Sequence, residues 1–368
     1  MTSKNIVKDI ILKDRKTFYK DLDLSPLSES QSNQNDINLI ADFTEYSPLH
    51  NGHFHCMKEA IRQVPDSLFV AIVPGLFERS GRGLPYILPR QYRGEIAISV
   101  GADIVVEGPP MGVMGSGQYS LCLGKMFKSL NTDFIPRGYK VTDGFDEILN
   151  RISKGHGIAP KPYKIVDMDT NEIISNNKLE EDNYVIVSLS KSLTRLGFDF
   201  KDKFIFVKRI SGVSGTLIRE AISSGNFENV EKMMPQNTID VLKREIDAGN
   251  CPLHNLRFDE EIINNANNLT AMELSKLNLF NEKLAEKFVN SRSEKSFNSI
   301  EDVKEIISQG FSSHYKNRVL SVLEGNVGSS DISNYIEKYP SVIRVIDYKN
   351  KDVLNKFKEK IGRDYVLF

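Results

Sequence analysis

The stretch Ala41-Asp-Phe-Thr-Glu-Tyr-Ser-Pro-Leu-His50-Asn-Gly-His53-Phe-His-Cys-Met-Lys-Glu-Ala60 decides how the chain is read. Asn38 to Phe43 is an apolar run of strand length that ends in a Pro-containing polar turn. Beyond the turn, Met57, Ala60, Ile61 and Val64 recur at helical spacing. The pattern predicts a buried strand, a turn and a helix. His50 and His53 lie three apart at the helix start, so both can project from one face, where free backbone N–H groups and the helix dipole favour an anion. Gly52 is expected to let a phosphate approach the backbone. The plain alternative is a helix that merely begins with surface histidines.

Working outward, Leu68 to Val73 is continuously apolar, as expected for a strand covered on both faces. A long loop rich in Gly and Arg, Pro74 to Tyr86, follows at its carboxyl end, where open α/β sheets bind ligands, so Arg79 and Arg82 are expected to face the site. Tyr92, Ile96, Ala97 and Val100 then mark a helix ended by Gly101, and Asp103 to Glu107 a further strand. Strands alternating with helices at this spacing imply a parallel sheet with right-handed crossovers. Far downstream, Ser211-Gly-Val-Ser214-Gly-Thr216-Leu-Ile-Arg219 offers a helix start, two hydroxyls and an arginine one turn on, a set suited to a polyphosphate. An ordinary Ser/Thr helix cap would explain the hydroxyls but not the pairing with an upstream His-x-Gly-His.

His-x-Gly-His after a strand, with Ser-x-Thr-x-Ile-Arg at the far end, resembles the signature of the nucleotidyltransferase superfamily, related to class I aminoacyl-tRNA synthetases. Glu45 to His53, Gly75-x-Phe-x-Arg79, Pro85 with Arg90-x-x-Arg93, and Gly101-Ala-Asp-Ile-Val-Val-Glu107 sharpen it: the chain is similar to the bacterial tRNA(Met) cytidine acetate ligase family. Ser47, Arg90, Gln91 and Glu107-Gly-Pro109 depart from that family's pattern. The resemblance implies an α/β fold with a Rossmann-like (HUP-type) parallel-sheet nucleotidyltransferase domain, followed by a mainly helical C-terminal domain. It also implies ATP and Mg²⁺ as cofactors, acetate and tRNA as further partners, and acetylation of a wobble cytidine through acetyl-adenylate. By the same resemblance His50 and His53 are catalytic, stabilising charge at the α-phosphate. Gly52, Ser214, Thr216, Arg219, Arg209 and Asn183 would contact the nucleotide, and Glu45, Arg79, Arg90 and Arg93 the substrate. No dedicated protein cage for the metal is expected.

Residues 1–36 read as an appendage, with a short amphipathic helix around Ile6 to Leu12 and a linker-like Ser25 to Asn35; 37–235 read as the nucleotide-binding unit and 236–368 as the helical one. Between 111 and 183, Gly115 to Tyr119 and Ser153 to Gly157 read as turns and His156 as a surface histidine. A hairpin insertion is expected around Tyr163 to Ile174. Tyr184 to Val187 and Phe204 to Val207 read as strands, the second leading to Arg209. In the last third, Ile239, Leu242 and Ile246, then Leu277 to Phe288, then Val303 to Ile307 carry helical periodicity, and Arg318 and Arg344 resemble the ligase family's C-terminal region.

Composition bounds the partners. A net charge of −1 over 368 residues supplies no global field for nucleic acid, so RNA contact must rest on local patches such as Arg79, Arg82, Lys316, Arg318 and Arg344; DNA is not expected. The three cysteines form no Cys-x-x-Cys pair, which fits a reducing cytoplasm, and no apolar run approaches membrane-spanning length. Two other readings stay open: a small-molecule nucleotidyltransferase whose arginines between Gly75 and Arg93 grip a phosphorylated metabolite, and an RNA-binding protein that has lost turnover.

Overall fold

The computed structural model describes residues 3–23, 37–140, 142–176, 179, 181–307 and 312–368. The linker expected at Ser25 to Asn35 lies outside the described residues. The strands are β1 (Leu39–Phe43), β2 (Leu68–Pro74), β3 (Ile104–Gly108), β4 (Ile135–Tyr139), β5 (Ile158–Pro160), β6 (Ile165–Asp167), β7 (Ile173–Ser175), β8 (Phe204–Lys208), β9 (Arg344–Tyr348) and β10 (Val366–Leu367). The helices up to the second phosphate signature are α1 (Ser3–Leu22), α2 (Asn51–Gln63), α3 (Arg90–Val100), α4 (Ser116–Ser129), α5 (Phe145–Ser153), α6 (Glu181–Arg195) and α7 (Gly215–Ser223). Then come α8 (Gln236–Asp247), α9 (Asp259–Asn268), α10 (Ala271–Lys276), α11 (Glu282–Glu294), α12 (Ile300–Ile306), α13 (Ser313–Gly325), α14 (Ser329–Lys338) and α15 (Lys351–Ile361).

β1, β2 and β3 pair in parallel, and β4 pairs in parallel with β8. The two sets join where Ala41 N–H donates to the Phe134 carbonyl at 2.9 Å and Phe134 N–H to the Leu39 carbonyl at 3.1 Å. The parallel strands therefore run β8-β4-β1-β2-β3. Chain order reverses between β1 and β4, which makes their carboxyl ends the switch point at which such sheets open a crevice. Alternate residues feed opposite faces. Leu39, Ala41, Val70, Ile72 and Val106 pack under α4, α5, α6 and α15, while Ile40, Phe69, Ala71, Val73 and Val105 pack under α2, α3, α7 and α8. Both faces are covered, which is why these strands read as unbroken apolar runs.

A third core joins α1 to α9–α14 and to Leu76, Phe77, Val113 and Met114, above the carboxyl ends of β2 and β3. The amphipathic start of the chain is thus part of a 20-residue helix that docks both on α13 and α14 and on the Leu76–Glu78 turn, where Asp14 binds Arg90 and the Phe77 N–H. One expectation is corrected here. Tyr184 to Val187 belongs to α6, because Ile186, Val187, Leu189 and Leu193 continue at helical spacing against α4 and α5. The last third is mainly helical, as expected, from α8 to α15, with β9 returning antiparallel to β3 and β10 pairing with β9. The hairpin insertion is present as the antiparallel set β5-β6-β7. The three cysteines are free, and no described helix is long and apolar enough to cross a membrane.

Candidate active site

His50 caps α2. Its Nδ1 accepts the backbone N–H of Gly52 at 3.1 Å and of His53 at 3.4 Å, while His53 Nδ1 accepts the His50 N–H at 3.4 Å. With each Nδ1 accepting, each neutral ring carries its proton on Nε2. The rings stack with centroids 3.7 Å apart and 12° between planes. Burial, then the positive charges of Arg209 and Arg219, lower the His50 pKa to about 4; burial and the neighbouring His50, with the same arginines, hold His53 well below its ordinary value. The pair therefore presents two neutral N–H donors at neutral pH, not two cations or two bases.

The second signature meets the first in space. Ser214 caps α7 by accepting the Leu217 N–H at 3.3 Å, and Arg219, one turn on, donates from Nη2 to the Thr216 hydroxyl at 3.2 Å and from Nη1 to the Ser47 carbonyl at 3.1 Å. A Cβ built on Gly215 would lie 3.2 Å from Arg219 Nη1 and 3.4 Å from His50 Nε2. Glycine at 215 thus keeps open a cleft that a histidine N–H, a guanidinium and a helix N-terminus share. Such a set binds phosphoryl oxygens. Gly52 plays a different part from the one expected. Its N–H is donated to His50, and a Cβ there would lie 3.0 Å from His50 Cε1, so the glycine makes room for the ring.

Arg209 follows β8 and adds positive potential at both histidines. The Glu45 carboxylate accepts the Gly81 N–H at 3.0 Å, tying the strand turn to the arginine-rich loop, and both Glu45 and Arg82 lie within electrostatic reach of Arg219. The remaining arginines are not at the cleft. Arg79 clasps Glu324 at 2.6 and 2.9 Å; Arg90 pairs with Asp14, Glu78 and Glu107 at 2.6, 3.0 and 2.9 Å. Arg93 binds Glu78 at 2.7 Å and the carbonyls of Glu45, Pro74 and Leu88. All three are buried with their charges already matched by carboxylates, an arrangement that braces the loop from behind. Arg344 is engaged likewise, with Asp21 and Glu107. Asn183 is buried and binds the Lys140 backbone and the Thr142 hydroxyl, which makes it a brace for the loop after β4.

Sequence reasoning missed Arg137 and Tyr46. Arg137, on β4, donates to the Phe43 carbonyl at 2.7 Å, sits 3.9 Å from Asp42 and adds to the positive potential at His53; Tyr46 sets its ring edge-on to His53 at 5.4 Å. Arg137 is not legible before β4 is known to lie beside β1, whereas Tyr46 lies only seven residues before His53.

Comparison with known proteins agrees with this geometry. Residues 37–120 match the family model described as HIGH Nucleotidyl Transferase, and residues 140–347 the one described as Cytidyltransferase-related C-terminal region. An uncharacterized protein of Methanocaldococcus jannaschii is 43% identical over 94% of this chain and 95% of its own length. The tRNA(Met) cytidine acetate ligases of Fervidobacterium nodosum and Kosmotoga olearia are 25% and 26% identical, over 86% and 88% of this chain and 80% and 84% of theirs. The crystal structure of Thermotoga maritima TmcAL bound with alpha-thio ATP superposes with a TM-score of 0.70 at 19% identity, over 88% of this chain and 84% of that one, so the fold is shared. With the two signatures meeting at the switch point and a match over more than half of its length, the chain belongs to the family described as Cytidyltransferase-related C-terminal region and is an enzyme of the nucleotidyltransferase superfamily.

Proposed function

We propose that the protein activates a carboxylate with ATP and transfers the acyl group to an RNA amine, in the manner of the tRNA(Met) cytidine acetate ligases it is similar to. The observation that carries the reading is the meeting of His50 Nε2 and Arg219 Nη1 over Gly215. A carboxylate oxygen attacks the α-phosphorus, the bond to the bridging oxygen breaks, and pyrophosphate leaves. The neutral Nε2–H donors of His50 and His53 stabilise the charge that builds on the α-phosphate, while the α7 N-terminus, Thr216 and Arg219 hold the leaving phosphates. The cytidine amine then attacks the acyl carbon, AMP leaves and the amine gives up a proton. We assign residues 37–235 to the nucleotide-binding unit, 236–368 to the largely helical unit and, within the extension 1–36, a bracing role to α1. Mg²⁺ fits as a counter-ion of the triphosphate, since the one described cluster of metal-type ligands, His156, Asp167 and Asp169, stands apart in the hairpin insertion.

The matching of Arg79, Arg90 and Arg93 to carboxylates favours this reading over a metabolite nucleotidyltransferase, for which Arg82, near Arg219, would have to grip the acceptor phosphate. Pyrophosphate release from ATP, measured with acetate, with phosphorylated metabolites, and with and without tRNA, tests the choice. Acetate-dependent release is expected. Release only with a phosphorylated metabolite would overturn the proposal.

A further inference from the structure

The insertion between α5 and α6 is the part of the chain that the nucleotide chemistry leaves unused. Its strands alternate cleanly. Ile158, Ile165 and Asp167 face inward and are buried, so the alternate positions Ala159, Val166, Met168 and Ile173 form the outer face, on which Met168 is 52% and Ile173 46% exposed. The set is tied down firmly. Arg151 and His156 bind Asp167 at 2.9 and 2.7 Å, Arg151 also binds Glu172, and Lys191 donates to the Ile158 carbonyl. Arg151 already balances Asp167, so this cluster is a tether rather than a cation site.

The turn joining β5 to β6 has the opposite character. Pro160-Lys161-Pro162-Tyr163-Lys164 is closed by a hydrogen bond from the Lys161 N–H to the Lys164 carbonyl at 2.8 Å, and two prolines fix its backbone. This rigid tip holds out Tyr163, 84% exposed, between two exposed lysines whose side chains form no ion pair among the described residues. Lys154, Lys161 and Lys164 are exposed around this tip, while the nearby acids Glu147, Asp167 and Glu172 are engaged by Arg151. An aromatic ring 84% exposed between two lysines leaves its π-face open to a ligand. It is what stacking on a nucleobase requires, with phosphates reached on either side. The module also sits at the correct end of the sheet. The Ile174 carbonyl on β7 lies 3.4 Å from where a Cβ on Gly144 would stand, and Gly144 follows the carboxyl end of β4, the end at which the histidines lie.

We propose that the β5-β6-β7 module is a docking platform for single-stranded RNA, with an unpaired base stacked on Tyr163 and its neighbouring phosphates paired with Lys161 and Lys164. The proposal rests on the reading of the acceptor as RNA and names the surface that would hold it. Arg79 and Arg344, candidates by sequence, cannot serve, because their charges are matched inside the protein.

The test uses the full chain and two labelled probes, an RNA hairpin with an unpaired loop and a fully paired RNA duplex of equal length, titrated by fluorescence anisotropy at two salt concentrations. The hairpin is expected to bind more tightly than the duplex. Tyr163→Ala should weaken hairpin binding about tenfold or more, and Tyr163→Phe should restore it. Replacing Lys161 and Lys164 together by Ala should flatten the slope of log affinity against log salt by roughly 1.4, since each phosphate contact on a single strand contributes about 0.7. Equal affinity for hairpin and duplex, a Tyr163→Ala chain that binds as the wild type does, or no salt-sensitive binding at all would overturn the proposal. ATP–pyrophosphate exchange with acetate is measured beside it and should be unchanged in Tyr163→Ala; its loss there would place the module in the nucleotide site and overturn the platform. A wild-type chain with no exchange would refute acyl activation while leaving the RNA titration to decide the platform.

Discussion

Replacing Glu324 by Gln removes one buried charge from a cluster that has two cations. Glu324 is fully buried on α13. It accepts from Arg79 Nε and Nη2 at 2.9 and 2.6 Å, from Arg257 Nη1 at 3.1 Å and from the Phe258 N–H at 2.7 Å. Burial pushes its carboxyl upward, but Arg79 and Arg257 outweigh that and hold it below the usual carboxylate range. Gln keeps the volume but supplies one acceptor oxygen and turns an NH₂ toward two guanidinium groups. Breaking a buried pair from one side costs about 3–5 kcal/mol. For a chain of this size that lowers the melting temperature by roughly 4–6 °C. Calorimetry with denaturant melts measures it. Because the Arg79 guanidinium is engaged by Glu324 behind the loop, turnover below the melting transition should stay within a few-fold of wild type. A stability change under about 1 kcal/mol, or a hundredfold loss of turnover in a chain that stays folded, would refute the framework role given to Arg79.

Three other perturbations address the cleft. His53→Ala removes an N–H donor aimed at charge that develops in the transition state, so turnover should fall on the order of a hundredfold while ATP still binds; comparable turnover would remove the catalytic role. Arg219→Ala should weaken ATP and leave AMP almost unaffected, and calorimetric titrations showing equal losses would count against a hold on the leaving phosphates. The third concerns pH. His50 is held at about 4 by burial and then by Arg209, against an ordinary 6.5, so between these values the unfolded chain binds more protons than the folded one. Stability should rise with pH across that window and be lost as pH falls through it, by at most about 3 kcal/mol from this group. His50→Gln should flatten the dependence in melts run from pH 4 to 7, and an unchanged slope would contradict the buried neutral ring.

Local chemistry was legible and long-range pairing was not. The strand, turn and helix around His50, the β8 strand, the hairpin insertion and the α7 start each announce themselves in fewer than twenty residues, because caps, turns and periodicity are local properties. Tyr184 to Val187 misled because a β-branched run inside a helix looks like a strand until its packing on α4 and α5 is known. The arginines misled for a deeper reason. Arg79 finds Glu324, Arg90 finds Asp14 and Arg344 finds Asp21, partners 245, 76 and 323 residues away. Sequence shows a run of cations near a ligand loop and hides the carboxylates that neutralise it. Arg137 shows the converse, since an arginine in mid-strand carries no signal until the β1–β4 junction brings it to His53.

The central claim is that His50 and His53 activate a carboxylate at the α-phosphate of ATP. Exchange of labelled pyrophosphate into ATP measures that step alone, before any RNA is involved. With acetate present the wild-type chain should catalyse exchange, and a chain with His50→Ala and His53→Ala should lose it while remaining folded. Exchange that persists without both histidines, or that never appears with acetate, would contradict the account.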